Sequence, residues 1–334
     1  MNLVLHGDIL DCDLPPNSID ALITDPPSGR AFMRQKWDTF QSPGHFQEFL
    51  RERFLACHPA MKPGAFGAIW CFPRMCHRVM NAAEEAGFIT QDVVSHIFHA
   101  SMGKNRRLKP AMEFWVIVQK PISERSIKAN VAKWGVGHLQ IDACEIPRDP
   151  DDIPGWHASG ADGSGGYHGT DTFRIRAMSA GEIRERRGDR GRYPCNVTVD
   201  SGAVAWLEHN TERYFPVFKQ CPKPSVAEKD AGLEEFTPVT VSRLNSGGLS
   251  NEPRFAPVSR HNPHPTVKPI ALCRWLCRLL CPVGGTVLDP FAGSGTTLVA
   301  AGLERMSGIG FDIDQEMCEI ANARIKHWLE EKDE

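Results

Sequence analysis

Two short stretches carry residue types that could do chemistry together. Asp25-Pro26-Pro27-Ser28 follows Ala21-Leu22-Ile23-Thr24, so a carboxylate and a turn stiffened by two prolines stand at the end of a short buried strand. Far along the chain, Asp289-Pro290-Phe291-Ala292-Gly293-Ser294-Gly295 follows Thr286-Val287-Leu288 and precedes Leu298-Val299-Ala300-Ala301, the strand, Gly-rich turn and helix of a nucleotide-type cofactor site. No Lys precedes Thr296 and residue 298 is Leu, so neither a phosphate-gripping P-loop nor a dinucleotide fingerprint is present. Asp312 ends the next strand about 20 residues on, where a carboxylate can accept from ribose hydroxyls. A nucleoside cofactor without pyrophosphate fits. Ligands bind outside the carboxyl ends of strands in open parallel sheets, so one strand end would hold the cofactor and the other the substrate.

With Asp289 to Gly295, the upstream His264-Pro265-Thr266-Val267-Lys268-Pro269 and the N-terminal Asp25-Pro26-Pro27, the chain resembles the beta-class DNA amino-methyltransferases that use S-adenosylmethionine. The resemblance covers roughly residues 1 to 120 and 260 to 330, and extends more loosely through the middle to phage and prophage members. It implies a Rossmann-like α/β fold with a mostly parallel, doubly wound sheet and circularly permuted motif order: catalytic motif, target-recognition insertion, then cofactor motifs. An exocyclic amine is a poor nucleophile because its lone pair is delocalised into the ring. The resemblance implies that Asp25 and the Pro26 carbonyl accept its two N–H bonds, while an aromatic residue stacks on a base flipped from DNA. Around the cofactor it implies Phe291, Gly293 and Gly295 at the methionine part, Asp312 at the ribose and Asp8 at the adenine edge. Thr266 and Lys268 would cover the methionine carboxylate and sulfonium region, and Asp289 would bind the amino group or cap the turn. Apart from the resemblance, Asp25 reads by default as an ordinary strand-ending turn, and Asp8 is also readable as one.

Position 28 departs from the family, which carries Tyr, Phe or Trp there. Base–aromatic stacking is worth about 1–3 kcal/mol, so three explanations compete. Phe32 or Trp37 substitutes as the stacking ring; the enzyme is weakened or is a silent cofactor-binding DNA adaptor; or Ser28 and Arg30 open a roomier, basic pocket. Such a pocket would suit a modified base or an enlarged donor such as carboxy-S-adenosylmethionine, whereas Arg30 on a DNA phosphate is the plainer reading. A motif beginning with Asp favours N6 of adenine over N4 of cytosine, and RNA stays open as an alternative substrate. Cys195 lies far from the cofactor motifs, which speaks against C5 chemistry. The base preference, any restriction partner and a homodimer, common in the class, are not readable.

The elements that must position these residues fall into three parts. Residues 1–120, the catalytic half, alternate strands (2–5, 21–24, 65–72, 89–98, 113–119) with helices starting at Ser42-Pro43 and ending at Gly87. Residues 121–262 break that rhythm: Gly160 to Gly169 and Ser246-Gly247-Gly248 read as loops, and seven arginines (174, 176, 184, 186, 187, 190, 192) crowd one stretch. Arg184, Arg186 and Arg187 there, and Arg106 and Arg107 in a second basic cluster, are candidate DNA contacts, the alternative being a solvated face offset by Glu182, Glu185 and Asp189. Residues 263–334, the cofactor half, resume the alternation with a helix from Ile270 to Cys281, strands 286–289 and 309–313, and helices from Thr296 and Gln315. A net charge of −3 keeps any DNA-binding surface local. No apolar run approaches the roughly 20 residues of a membrane span, the first residues lack signal-peptide character, and eleven cysteines fit a reducing cytoplasm. Cys273, Cys277 and Cys281 share one helical face and read as core, so no metal is expected.

Overall fold

The computed structural model describes residues 1–32, 35–98, 108, 110–146, 191–204, 215–218, 224–241 and 258–330. Its elements begin with β1 (Asn2–His6), β2 (Ile19–Thr24), α1 (Pro43–Ala60), β3 (Met61–Cys71), α2 (Cys76–Glu85), β4 (Ile89–Ile97), β5 (Met112–Gln119) and α3 (Ile127–Trp134). There follow β6 (Val197–Asp200), α4 (Ser201–Val204), β7 (Val217–Phe218), α5 (Val226–Asp230), β8 (Val239–Val241) and β9 (Val258–Arg260). The last are α6 (Ile270–Leu280), β10 (Thr286–Asp289), α7 (Thr296–Leu303), β11 (Ser307–Asp312) and α8 (Gln315–Glu330).

Among the described residues nine strands form one sheet in the order β1-β11-β10-β2-β3-β5-β4-β6-β7. Every neighbouring pair is parallel except the two made by β5, which runs against β3 and β4. β2 is buried at every position, as a parallel strand covered on both faces must be. Its side chains alternate between two cores. Leu22 faces Phe46, Leu50 and Phe54 of α1 and Val79 of α2, whereas Ala21 and Ile23 face Leu272, Leu276 and Leu280 of α6. The thiols of Cys273, Cys277 and Cys281 are buried in that second core. Helix α1 starts where Ser42 and Pro43 suggest, the Ser42 hydroxyl accepting from the His45 N–H at 3.1 Å, a cap worth about 1 kcal/mol.

The strands expected from the sequence are present with shifted ends: β2 begins at Ile19, β3 at Met61, and β11 spans Ser307–Asp312 rather than 309–313. In the middle segment, β6 and β7 extend the main sheet beyond β4. Thr198 of β6 is buried and its hydroxyl lies 2.8 Å from Nδ1 of buried His96 on β4, a long-range pairing that no local periodicity announces. Gly160 to Gly169 and Ser246 to Gly248 lie outside the described residues. Among the described residues no helix is long and apolar enough to cross a membrane.

β2 and β10 sit side by side with Ala21 opposite Val287 and Leu22 opposite Leu288. From β10 the chain crosses through α7 to β11 on one side; from β2 it crosses through α1 to β3 on the other. The loops leaving the two strands therefore diverge, and a crevice opens between them at the switch point of the sheet. Two polar staples hold the strand pair. At one end buried Asp20 of β2 accepts from the Thr286 N–H (2.9 Å) and from Lys62 (2.6 Å); at the other the Thr24 hydroxyl donates to Asp289 Oδ1 at 2.6 Å.

Candidate active site

The crevice is a cavity of about 1130 Å³ bordered by both loops. On the β2 side Asp25 lies beside Lys268, whose ammonium donates to Asp25 Oδ2 at 2.5 Å and sits 4.0 Å from the centre of the Trp70 ring. Trp70, near the end of β3, donates its indole N–H to Glu113 Oε2 of β5 at 2.9 Å. These contacts bring together β2, β3, β5 and the segment before α6. Burial pushes Asp25 up to about 6; Lys268 opposes the rise through charge and hydrogen bond, and the negative charges of Glu113 and Asp38 add to it. The Asp25 side chain is 20 % exposed, so its carboxylate stands at the cavity wall.

On the β10 side the chain turns sharply after Asp289. Gly293 has φ +51°, and a Cβ there would lie 3.0 Å from Nε2 of His264; Gly295 has φ +77° and caps α7, with Ala321 of α8 too close for any side chain. Arg324 of α8, fully buried, supports this turn from beneath by donating to the Ser294 carbonyl (2.5 Å), the Ser294 hydroxyl (3.1 Å) and the Thr296 hydroxyl (3.1 Å). Asp312 at the end of β11 accepts from the Gly293 N–H and the Asp314 N–H, both at 2.9 Å, and burial raises its pKa. Burial likewise pushes Asp289 up to about 6, against the hydrogen bonds from Thr24, Thr297 and the Phe291 N–H. His264 is driven down to about 4 by burial and by nearby Lys268, Arg324 and Lys229, so its ring is neutral at pH 7. Phe291 faces Phe49 of α1 with ring centres 5.8 Å apart, and Asp8 forms a short ion pair with Arg53, which lies over the Phe49 ring.

Of the residues singled out in the sequence, Asp8, Asp25, Pro26, Pro27, Ser28, Phe32, Trp37, Thr266, Lys268, Asp289, Phe291, Gly293 and Asp312 border this one cavity. Gly295 shapes the turn without lining it. Lys268, expected over the methionine end of a cofactor, is bonded to Asp25. Arg30 does not line the cavity; its guanidinium lies 5.1 Å from the centre of the Phe72 ring. Arg106, Arg107, Arg184, Arg186 and Arg187 lie outside the described residues. The sequence reading missed Trp70, Phe72 and Glu113, which look like ordinary strand residues, and Asp38, Arg53 and Arg324, whose partners are remote in sequence. His264 stands within a quoted motif, yet nothing in its spacing shows that it packs on Gly293.

An open sheet of this order, with a Gly-rich turn and an Asp-Pro-Pro turn flanking its switch point, is the fold of the class I methyltransferases. The solved structure of the PvuII DNA methyltransferase (cytosine-N4-specific) superposes with a TM-score of 0.53 at 13 % identity, covering 96 % of this chain and 85 % of that one. The model of a family described as DNA methylase, of the N6/N4 type, matches residues 19–323, and the chain belongs to that family. Among curated relatives, the type II methyltransferase M.HpaI of Haemophilus parainfluenzae is 41 % identical over 91 residues, and the orphan methyltransferase M.BamHII of Bacillus amyloliquefaciens is 39 % identical over 66. These matches cover 26 % and 20 % of this chain, and span 29 % and 25 % of the relatives' own lengths.

Proposed function

We propose that this protein transfers a methyl group from S-adenosylmethionine to the exocyclic amine of a base flipped out of DNA, N6 of adenine being favoured because the acceptor motif begins with Asp25. The observation that carries the reading is the single cavity onto which the Asp25-Pro26-Pro27 turn and the Asp289-to-Gly295 turn both open, tied by the Thr24–Asp289 hydrogen bond. The motif order supports placement in the beta class, with residues 121–262 as the target-recognition region and residues 263–334 as the cofactor half.

The residues present fit the donor. The turn at Gly293 and Gly295 leaves no room for side chains, and the cofactor side of the cavity is lined by Asp8, Asp289, Asp312 and Asp314. Asp8 is paired with Arg53, so Asp289, Asp312 and Asp314 supply the negative side of this lining, which suits a ligand bearing a sulfonium and an ammonium. On this reading Asp312 and Asp8 would meet ribose and adenine, Phe291 the thioether region, and Thr266 and Asp289 the methionine end; all five line the cavity. When bound, the donor supplies an electrophilic methyl group.

The chain's own contribution is to make a poor nucleophile adequate. Lys268 holds Oδ2 of Asp25 and favours the ionised carboxylate, which leaves Oδ1 to accept one N–H of the base amine. The Pro26 carbonyl accepts the other, on a loop whose φ angles the two prolines fix in advance. Two acceptors aimed at the amine draw its lone pair out of conjugation, and Asp25 is positioned to take the proton that the methylated amine releases.

The test is nucleoside mass spectrometry of DNA from cells expressing the protein, with Asp25→Ala as control. N6-methyladenine that vanishes in the control is expected. N4-methylcytosine would reassign the base, a heavier adduct would point to an enlarged donor, and no modified nucleoside despite folded, donor-binding protein would overturn the reading.

A further inference from the structure

Ser28 stands where the acceptor motif calls for an aromatic ring, and its side chain has a specific partner. Its hydroxyl donates to Asp38 Oδ2 at 2.6 Å. The same carboxylate accepts from the Gly29 N–H (2.7 Å), the Phe32 N–H (2.5 Å) and, more weakly, the Arg30 N–H (3.4 Å), while the Asp38 carbonyl accepts from the Ala31 N–H at 2.8 Å. Asp38 is fully buried. The segment after Pro27 is thus wrapped around one carboxylate, and it is pressed against α1: at Gly29, with φ +67°, a Cβ would stand 2.8 Å from the Phe46 ring. Ser28 is buried, and its hydroxyl is one of four donors on this carboxylate. The closure carries residue 37, the neighbour of Asp38, to the mouth of the acceptor site.

Among the aromatic rings that line the cavity are Phe32 and Trp37 of the acceptor loop and Trp70 and Phe72 at and just after the end of β3. Trp70 is 5 % exposed, with Lys268 over its face, Phe72 packed edge-on at 4.8 Å and its N–H committed to Glu113. Phe72 is held between Trp70 and Arg30, and Phe32 is pinned at its amide inside the Asp38 wrap. Trp37 is the most exposed of the four at 37 %. Its ring lies parallel to that of His264, within 10° and 6.4 Å between centres, and His264 packs on Gly293 of the cofactor turn. Trp37 therefore links the acceptor loop to the cofactor turn through His264, on the wall of the shared cavity.

We infer that Trp37, delivered by the Ser28–Asp38 closure, is the ring on which the extruded base stacks, in place of an aromatic at position 28. The inference rests on the proposed amine methylation and names the residue that positions its substrate. It is tested with full-length protein, unmethylated duplex DNA and tritiated S-adenosylmethionine, following kcat and KM for DNA separately and donor affinity by calorimetry. Given label transfer by the wild type, Trp37→Ala lowers kcat/KM for DNA roughly 5- to 150-fold, the range set by base–aromatic stacking. Donor affinity is unchanged, Trp37→Phe recovers most of the loss and Trp37→Leu does not, because a ring face and not bulk is required. Ser28→Ala, which removes one of the bonds to Asp38, falls between Trp37→Ala and wild type. A Trp37→Ala enzyme equal to wild type, or a Trp37→Leu enzyme as good as Trp37→Phe, would overturn the inference while leaving amine methylation standing. Absence of label from the wild type itself would overturn both.

Discussion

Replacing Lys268 by methionine should move the acid limb of the pH–rate profile upward. The substitution keeps the unbranched stem against Trp70 and removes the charge that opposes the burial of Asp25. In the wild type Asp25 titrates at about 6, and only its ionised form can accept an N–H, so kcat should fall as pH drops through about 6. A hydrogen bond to a charged group contributes about 1.5–3 kcal/mol, which at 1.36 kcal/mol per pH unit corresponds to a rise of roughly one to two units in the variant. At pH 7 the wild-type carboxylate is about 90 % ionised and the variant's about 10–50 %, so kcat should drop roughly two- to tenfold at pH 7 and return near parity at pH 9. Asp289 is also pushed up to about 6, chiefly by burial, with the charge of Asp25 adding least to the rise. The sign for stability follows. A buried carboxylate with a raised pKa loses stability as pH climbs from its unfolded value of about 3.9 up through the raised one and levels off above it, so the variant should keep losing stability between pH 6 and 8 where the wild type has levelled off. The assay is methyl incorporation at saturating donor and DNA from pH 5.5 to 9.5, with thermal melts over the same range. An acid limb superimposable on the wild type's, or a loss independent of pH, would refute the assignment of Lys268 as the group that keeps Asp25 ionised.

Three further outcomes are expected. Thr24→Val removes the hydroxyl that donates to Asp289 Oδ1, and should cost about 1.5–3 kcal/mol at pH 8 but only about 0.5–1.5 kcal/mol at pH 5, where Asp289 is protonated and the lost bond is a neutral one; melts at the two pH values check this. Gly295→Ala forces a side chain onto φ +77° within 2.9 Å of the Ala321 Cβ, costing about 1–2 kcal/mol of backbone strain and about 1–3 of overpacking, to be read by denaturant titration alongside weakened donor binding. Arg324→Met strips the support beneath Ser294 and Thr296 and should destabilise the protein by roughly 3 kcal/mol or more, a variant with wild-type stability and donor affinity being the contrary result.

What was legible in the sequence was local. The strand Thr286–Asp289, the turn after it and the helix start at Thr296 could be placed to the residue because apolar run, glycines and helix former are contiguous. Asp25 and Asp312 were found as acidic residues at the ends of apolar strands. The rest depends on contacts between distant segments. Lys268 pairs with a residue 243 positions away, and β6 joins the sheet through Thr198 and His96, 102 positions apart. Trp70 and Glu113 face the cavity from strands whose patterns indicate only burial on one face or the other. Asp38 ends a single 3-10 turn, Lys36–Asp38, with no periodicity to mark it, so its four donors, the Ser28 hydroxyl among them, could not be foreseen.

The pairing of β2 with β10 also sets when the protein can acquire its site. Ala21 meets Val287 across 266 positions, and β1 pairs with β11 across more than 300. Closing a loop of that length costs roughly 5 kcal/mol of chain entropy before any contact offsets it. During synthesis β2 and β3 can pair early, but the other edge of β2, together with Thr24 and Asp25, stays open until β10 has emerged. The nascent chain thus presents a buried-type strand edge for most of its elongation, and a ribosome-bound chain shorter than about Asp312 has neither a complete sheet nor a donor pocket. Neither half of the site is complete until β10 lies against β2.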